Sequence, residues 1–222
     1  MINEIIILFR REVGISFKSF STAVSFCCFF VISMLIFIFS LGTGILEIKE
    51  IYKSIVWVVL VFSTMLISEN FILDDYNDGS LKELQFLGYS EELIVLCKGL
   101  VMWIMIMIPT VLLIPLFAIF FNLSFSESIN LSVSFILASP SLTLISLVSS
   151  LFSIQLRRNK IIQFIVTIPF YIPIVIFGTA LNPFTFNSEE NVNNFLILIG
   201  IFFITLPVCL ITSKLILKEI NK

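Results

Sequence analysis

The sequence predicts an all-α integral membrane protein with six transmembrane helices. Of its 222 residues, 59% are hydrophobic and 13% are charged, and the mean hydropathy is +1.12. A soluble domain of this length needs more polar surface to stay in solution. Apolar runs that can cross a hydrocarbon core of about 30 Å, which takes roughly 20 helical residues, recur along the whole chain. Residues 1–222 are therefore expected to form one membrane domain.

An amphipathic helix is expected before the first span, over residues 3–20. Its apolar side chains recur at helical spacing, whereas Arg10, Arg11 and Glu12 fall on other sides. This pattern is typical of an interfacial helix that lies in the headgroup plane of a membrane. The expected apolar face consists of Ile5, Phe9, Val13, Phe17 and Phe20.

Six spans follow, and proline interrupts several of them. Pro109 and Pro115 in the third span each remove a backbone donor, which frees a carbonyl and favours a kink. In the fourth span, Pro140 lies in the run ASPSLTLISLVSS. Its small hydroxyl side chains let helices approach closely and hydrogen-bond across the contact, so this run should face protein rather than lipid. The predicted spans are 21–41, 54–68, 93–121, 131–156, 161–181 and 195–217.

The fifth span contains Tyr171 between Pro169 and Pro173. Two interpretations fit this arrangement: a kink that the function uses, or a kink that only serves packing. Under both, these residues and Pro140 are predicted to lie at bends or contacts of the spans.

The basic residues predict which side of the membrane each polar segment occupies. Six spans give two alternating sets of polar segments, of which one holds eleven Lys and Arg residues and the other only Lys49 and Lys53. The positive-inside rule therefore places both termini and residues 69–92 in the cytoplasm. Lys98 and Lys214 lie slightly inside helix ends and are expected to snorkel to the interface.

The longest polar interval, residues 69–92, lies between the second and third spans and is called the polar segment below. It holds seven of the fifteen carboxylates. Asp78-Gly79 is a turn signal, and Ser80 with Glu83 matches a capping box, in which each side chain satisfies a free backbone donor of the first turn. A short helix should therefore begin at Ser80.

The same pattern predicts where this helix ends and the next begins. Gly88 permits a left-handed cap at the end of the short helix. Ser90 can then cap the following helix, with Glu91 and Glu92 at the positive end of its dipole. The predicted local plan is helix, break, helix.

A structured cytoplasmic segment of this kind is expected in a membrane subunit that a separate ATPase binds and moves. Three leucines would share one side of the short helix. The carboxylates ahead of it either bind basic groups of the ATPase or form an ordinary solvated face. A plain connector between spans is the alternative for the whole segment. The expected coupling residues are Glu69, Asp74, Asp75, Asp78, Gly79, Leu81, Leu84 and Leu87.

The residue types argue against chemistry inside the membrane. The chain has no histidine, and the predicted spans contain no Asp and no Glu away from their ends. Catalysis and ion-coupled transport need such groups at depth, so no catalytic or metal-ligating residue is predicted. The sequence also lacks a G-x-x-x-x-G-K-[ST] phosphate loop, so its energy source must lie elsewhere. Four cysteines without metal or redox spacing are interpreted as buried, inert thiols: Cys27, Cys28, Cys97 and Cys209.

Five features in chain order together resemble the CcmB family, the membrane permease subunit of the heme exporter in bacterial-type cytochrome c maturation. They are the N-terminal basic helix, ENFILDDYNDGSLKEL, ASPSLTLISL, the LRR at 156–158 and PFYIPIVIFG at 169–178. The resemblance implies a six-span, ABC-2-like permease with a short cytoplasmic coupling helix between spans 2 and 3. It also implies three partners: a cytoplasmic ABC ATPase subunit that binds ATP, a heme-handling membrane subunit and a heme chaperone.

The resemblance leaves the path of the cargo open. Heme is the candidate cargo, yet a histidine-free interior offers it no axial ligand of the usual kind, so we expect a mechanical role with heme ligated by another subunit. Arg157 and Arg158 are interpreted as orientation signals rather than contacts to a propionate or nucleotide. The alternative function is the permease of another ABC-2 exporter, of lipid, drug or peptide, or a non-transporting scaffold. The expected location is the bacterial inner membrane, or the mitochondrial one for an organelle-encoded chain, and no nucleic acid partner is expected.

Overall fold

The computed structural model of the chain describes residues 2–18, 21–41, 48–121, 123–155, 160–182 and 189–220. Within these ranges the protein consists of eight α-helices and contains no β-strand. Six of the helices are long and apolar enough to cross a membrane, which confirms the predicted all-α class with six spans. The helices are α1 (Ile2–Lys18), α2 (Ser21–Leu41), α3 (Ile48–Asn77), α4 (Ser80–Phe86), α5 (Glu91–Phe120), α6 (Phe125–Gln155), α7 (Lys160–Ala180) and α8 (Glu189–Ile220).

The spanning helix α3 differs most from its predicted boundaries of 54–68. It contains 30 residues, so it is about 45 Å long at ~1.5 Å per residue, against a hydrocarbon core of about 30 Å. The charged residues after 68 do not interrupt it, because helical hydrogen bonds form within the backbone whatever the polarity of the side chains. The first part of the polar segment is therefore the end of α3.

The central helix of the bundle is α6, which packs against α3, α5, α7 and α8. Every residue from 141 to 150 is buried, so the expectation that the serine-rich run faces protein is confirmed. Its hydroxyls mostly donate within α6 itself, as from Ser149 Oγ to the Ile145 carbonyl at 2.8 Å and from Ser150 Oγ to the Ser146 carbonyl at 2.7 Å. Their small size, more than hydrogen bonds donated across helices, lets the neighbouring helices approach.

Six prolines lie inside the described helices, which continue through them. Pro140 has no N–H for the Ile136 carbonyl, and that carbonyl accepts a hydrogen bond from Ser139 Oγ at 3.2 Å instead. Ser139 Oγ also accepts from Trp103 Nε1 at 2.8 Å, which joins α6 to α5. The six are Pro109, Pro115, Pro140, Pro169, Pro173 and Pro207.

Helix α1 buries a different face from the predicted one. Among its described side chains the buried ones are Leu8, Glu12 and Ser16, at a spacing of four, whereas Ile5 is exposed. The burial of Glu12 turns the helix away from the orientation that hydrophobicity alone favours. Of the other predicted positions, Phe9 and Val13 are half-buried, and the side chains of Phe17 and Phe20 lie outside the described residues.

The four cysteines are free thiols but do not share one environment. Cys97 and Cys209 are buried as predicted, Cys27 is half-buried and Cys28 is exposed on α2. The prediction was wrong for Cys28 because adjacent residues on a helix point about 100° apart, with 3.6 residues per turn. Cys27 and Cys28 therefore point in different directions, and Cys27 packs against the core.

Candidate functional site

The short helix α4 begins at Ser80 as predicted, but the capping box does not form. Gly79 occupies the N-cap position with φ of 75°, and no side chain caps the helix. The Glu83 N–H, which the box would pair with the serine, donates to the Gly79 carbonyl at 3.1 Å. The Ser80 hydroxyl instead donates to Asp75 Oδ1 at 3.0 Å, because a carboxylate is the stronger acceptor.

The predicted end of α4 is confirmed. Gly88 has φ of 88°, its N–H donates to the Gln85 carbonyl at 3.0 Å, and the Tyr89 N–H donates to the Leu84 carbonyl at 3.3 Å. These two bonds form a Schellman cap, which satisfies the last carbonyls of the helix. Ser90 is the N-cap residue of α5, as expected, although its hydroxyl makes no capping bond.

Helix α4 is held against α1 and α5 by Leu81 and Leu84, two of the three leucines predicted to line it. Leu81 and Leu84 are 5% and 0% exposed, and they form a small apolar cluster with Leu8 of α1 and with Ile94 of α5. Leu87 is 67% exposed, because the helix ends at Phe86 and the chain turns before a third leucine can reach the cluster. The prediction that all three share one side was therefore wrong for Leu87.

A network of buried charges lies beside this cluster. Lys98, on the second turn of α5, is 1% exposed, and its ammonium donates to Glu12 Oε2 at 2.7 Å and to Asp75 Oδ2. Arg11 donates to the other oxygen of Glu12 at 2.8 Å, so two cations face two carboxylates. The expectation that Lys98 snorkels outward was wrong, because its ammonium finds two carboxylates inside the protein. A buried ammonium without such partners is strongly unfavourable.

This network was not predicted, although the sequence contains two signals of it. Lys98 lies inside the apolar run of the third span, where a lysine needs a partner. Glu12 continues the helical row of Leu8 and Ser16 on α1. Neither signal identifies the partner, because Glu12 and Lys98 are separated by 86 residues of chain.

The acidic coupling residues do not form one exposed face. Asp75 is engaged with Lys98 and Ser80, Glu69 is half-buried, and Asp74 and Asp78 are exposed. The exposed tip of α4 is apolar instead, since Phe86 and Leu87 are 90% and 67% exposed. A cavity of about 440 Å³ adjoins this tip, lined by Lys82, Gln85, Phe86, Glu91 and Lys218.

A second polar contact lies inside the bundle. Gln163 of α7 is 2% exposed, and the two N–H groups of its Nε2 are shared among three acceptors: the Met65 carbonyl at 3.1 Å, Ser68 Oγ at 3.0 Å and Ser150 Oγ at 3.2 Å. These bonds join α7 to α3 and α6. Ser68 directly precedes the polar segment, so the segment is attached to the bundle at this point.

The remaining predicted positions have structural partners or lie outside the described residues. Tyr171 is buried and donates to the Leu142 carbonyl at 2.8 Å, while Pro169 is exposed and Pro173 half-buried. Lys214 contacts Glu92 and is partly exposed. Among the described residues no group of three or more Cys, Asp or Glu is placed to hold a metal ion. Arg157 and Arg158 lie outside the described ranges.

Comparison with known proteins gives consistent matches over most of the chain. The model of the family described as CcmB protein matches residues 3–216. Heme exporter protein B of Pseudomonas aeruginosa is 27% identical over 180 residues, 81% of each chain. The protein of that name from Rhodobacter capsulatus is 29% identical over 69% of this chain and 70% of its own. The one from Escherichia coli K12 is 27% identical over 78% of this chain and 79% of its own.

Proposed function

The chain belongs to the CcmB family, and we propose that it is the membrane permease subunit of an ABC-type heme exporter that serves cytochrome c maturation. The observation that carries the proposal is the family match, which extends over residues 3–216 and so covers five candidate spans entirely and most of the sixth. The three relatives described above share the name heme exporter protein B. Nothing in these matches favours a lipid, drug or peptide exporter.

We infer that ATP is hydrolysed on a separate cytoplasmic subunit that binds the polar segment. The sequence has no phosphate-binding loop of its own. The polar segment offers a binding element: a short helix that ends in a Schellman cap, is held by Leu81 and Leu84 and is exposed at its tip. Tighter binding of one ATPase state to this helix would displace α3 and α5, which flank it, because a ligand shifts an equilibrium only through differential affinity.

The contact with the ATPase is centred on Phe86. An aromatic side chain that is 90% exposed beside an exposed Leu87 is costly in water and is the type of residue that dominates interface energetics. Asp74 and Asp78 are exposed just before α4 and contribute to the polar rim. The docking chemistry is thus mainly apolar, in place of the acidic face that the sequence suggested.

Heme is the cargo of the complex, and its ligation is assigned to another subunit. The sequence contains no histidine, the usual axial ligand of heme iron, which supports this division. Methionine is another possible heme ligand, but Met102 and Met105 are buried among apolar neighbours. The complex acts in the bacterial inner membrane with both termini of this chain in the cytoplasm. The heme-handling membrane subunit and the heme chaperone are its other partners.

Phe86→Ala tests the proposal, with Phe125→Ala as the matched control. Phe125 is 76% exposed at the start of α6, on the opposite side of the bundle in the proposed topology. In cells that lack the native gene, the wild type and Phe125→Ala should restore covalent heme in c-type cytochromes. Phe86→Ala should lower recovery of the ATPase subunit on affinity purification about 30-fold, equivalent to ~2 kcal/mol for an interface hot spot.

Two results would contradict parts of the proposal. Normal cytochromes c in cells without the chain would remove the assignment to heme export. Normal ATPase recovery with Phe86→Ala, combined with loss on charge reversal of Asp74 and Asp78, would restore the acidic docking face.

A further inference from the structure

The buried Lys98 ammonium joins helices that are far apart in the chain. Glu12 belongs to α1, Asp75 to the last turns of α3 and Lys98 to α5. Asp75 also accepts the hydroxyl of Ser80, the first residue of α4. One charge network therefore reaches all four helices that meet around the polar segment.

A second layer joins the same four helices. Leu8 of α1, Leu81 and Leu84 of α4, and Ile94 of α5 form the small apolar cluster, against which Tyr76 of α3 packs. The ionic and apolar layers lie side by side. Displacement of α4 alone would expose apolar surface and also separate Asp75 from its partners.

We propose that Lys98 is a positioning residue that makes α1 a moving part of the coupling machinery. The inference rests on the proposed function, because the displacement comes from the ATPase bound at α4. Separating an ammonium from carboxylates in a buried site leaves unpaired charges, so α1, α4 and the adjoining ends of α3 and α5 move together. Helix α1 thus transmits the motion and is more than a static interfacial element.

Packing alone does not account for three charges at this place. An apolar set of similar volume stabilises a buried site at least as well as an ion network in many proteins. What the charges add is a fixed geometry, since only one arrangement satisfies Glu12, Asp75 and Lys98 together. A role confined to stability predicts that removing all three charges at once is tolerated. A positioning role predicts a chain that folds but transmits motion poorly.

Distances between spin labels test the inference in a chain whose four native cysteines are replaced. The first pair of labels, at Arg10→Cys and Glu83→Cys, reports the distance between exposed sites of α1 and α4. The second pair, at Arg10→Cys and Phe39→Cys, reports the distance from α1 to the far end of α2. In the complex with its ATPase, the first distance should stay the same with and without ATP, while the second should shift. In the isolated chain, Lys98→Met should broaden the first distribution, and Lys98→Arg should keep it narrow.

The functional measurement is the number of ATP molecules hydrolysed per heme exported. Lys98→Met should raise this ratio several-fold, and Lys98→Arg should return it towards the wild-type value. Lys98→Met leaves two carboxylates without their ammonium partner. The triple variant Glu12→Gln, Asp75→Asn, Lys98→Met removes these three charges together, leaves only the partly exposed Arg11, and should also raise the ratio. Lys214→Met is the matched control, since Lys214 forms its ion pair with Glu92 at a partly exposed site.

Either of two results would overturn the inference. The first is a wild-type distance between positions 10 and 83 that changes with nucleotide. The second is a folded triple variant with a narrow distribution and a normal ratio. If no ATPase binds the wild-type chain, the proposed function fails, and the distributions in the isolated chain still decide whether Lys98 holds α1 to α4.

Discussion

The close contact between Gly178 and Trp57 shows how a single residue sets the distance between two spans. Trp57 of α3 is 1% exposed, and its ring meets Phe135 of α6 edge-on at 5.7 Å between centroids. A β-carbon on Gly178 would lie 2.4 Å from Trp57 Cη2, closer than any real contact of that kind. The absence of a side chain at 178 is therefore what lets α7 approach α3.

Gly178→Ala should destabilise the protein by about 1–3 kcal/mol, the usual cost of overpacking a core. The ring of Trp57 is rigid and enclosed, so relief requires the two helices to separate. Gly200→Ala is the matched control, because a β-carbon there meets no atom within 4 Å. In a helix interior that change should stabilise by about 0.5–1 kcal/mol. Thermal unfolding in detergent measures both, and equal melting temperatures would contradict the steric account.

The partners of single polar residues could be predicted from the sequence only in part. The need of Lys98 for a counter-ion is visible in its apolar context, but its partners Glu12 and Asp75 are not. The Gln163 amide is similar: its contacts with Met65 and Ser68 cross nearly a hundred residues of chain. Such pairs depend on how helices rotate and pack, which hydropathy does not encode.

At the scale of elements, local signals predicted the polar segment well and the span limits less well. The start of α4 at Ser80, its end before Gly88 and the start of α5 after Ser90 all followed from residues within one turn of each boundary. The end of α3 did not, because the prediction ended the span at the first charged residue. A helix ends where its backbone bonds end, and here they continue to Asn77.

Gly88→Ala tests the left-handed cap of α4. A β-carbon at φ of 88° costs about 1–2 kcal/mol by steric contact with the backbone, and relief of that strain should reorient the tip that carries Phe86 and Leu87. The expected results are a lower melting temperature and weaker ATPase recovery. Gly14→Ala, in the helical part of α1 with open space around it, should show neither. Unchanged ATPase recovery with Gly88→Ala would mean that the tip tolerates reorientation.

At the scale of the whole molecule, the topology is the prediction on which the docking proposal depends. In a cysteine-free chain, Phe86→Cys should react with a membrane-impermeant maleimide only from the cytoplasmic side, and Ser126→Cys only from the opposite side. Both positions are exposed in the structure. Removing buried Lys98 from the basic-residue count leaves the majority on the same side, so the expected orientation is unchanged. The reverse labelling pattern would contradict the cytoplasmic placement of the polar segment.

The arrangement of the spans around α6 belongs to the same scale. The serine-rich run predicted that this helix faces protein, and its burial between 141 and 150 agrees. The identity of its neighbours did not follow, because small residues permit close approach by any helix. Contacts such as that of Trp103 with Ser139 and that of Tyr171 with Leu142 show which helices fill those positions.

The sequence by itself determined the membrane class, the number of spans, the limits of α4 and the position of the polar segment between the second and third spans, because each depends on residues close together in the chain. Hydrophobicity summed over a span and capping within a turn need no knowledge of distant parts. Only the tertiary structure decided that Asp75 faces inward to Lys98, that α1 presents Glu12 to the same site and that Phe86 remains exposed. These features depend on the rotation of each helix about its axis, which is fixed by all of its neighbours together.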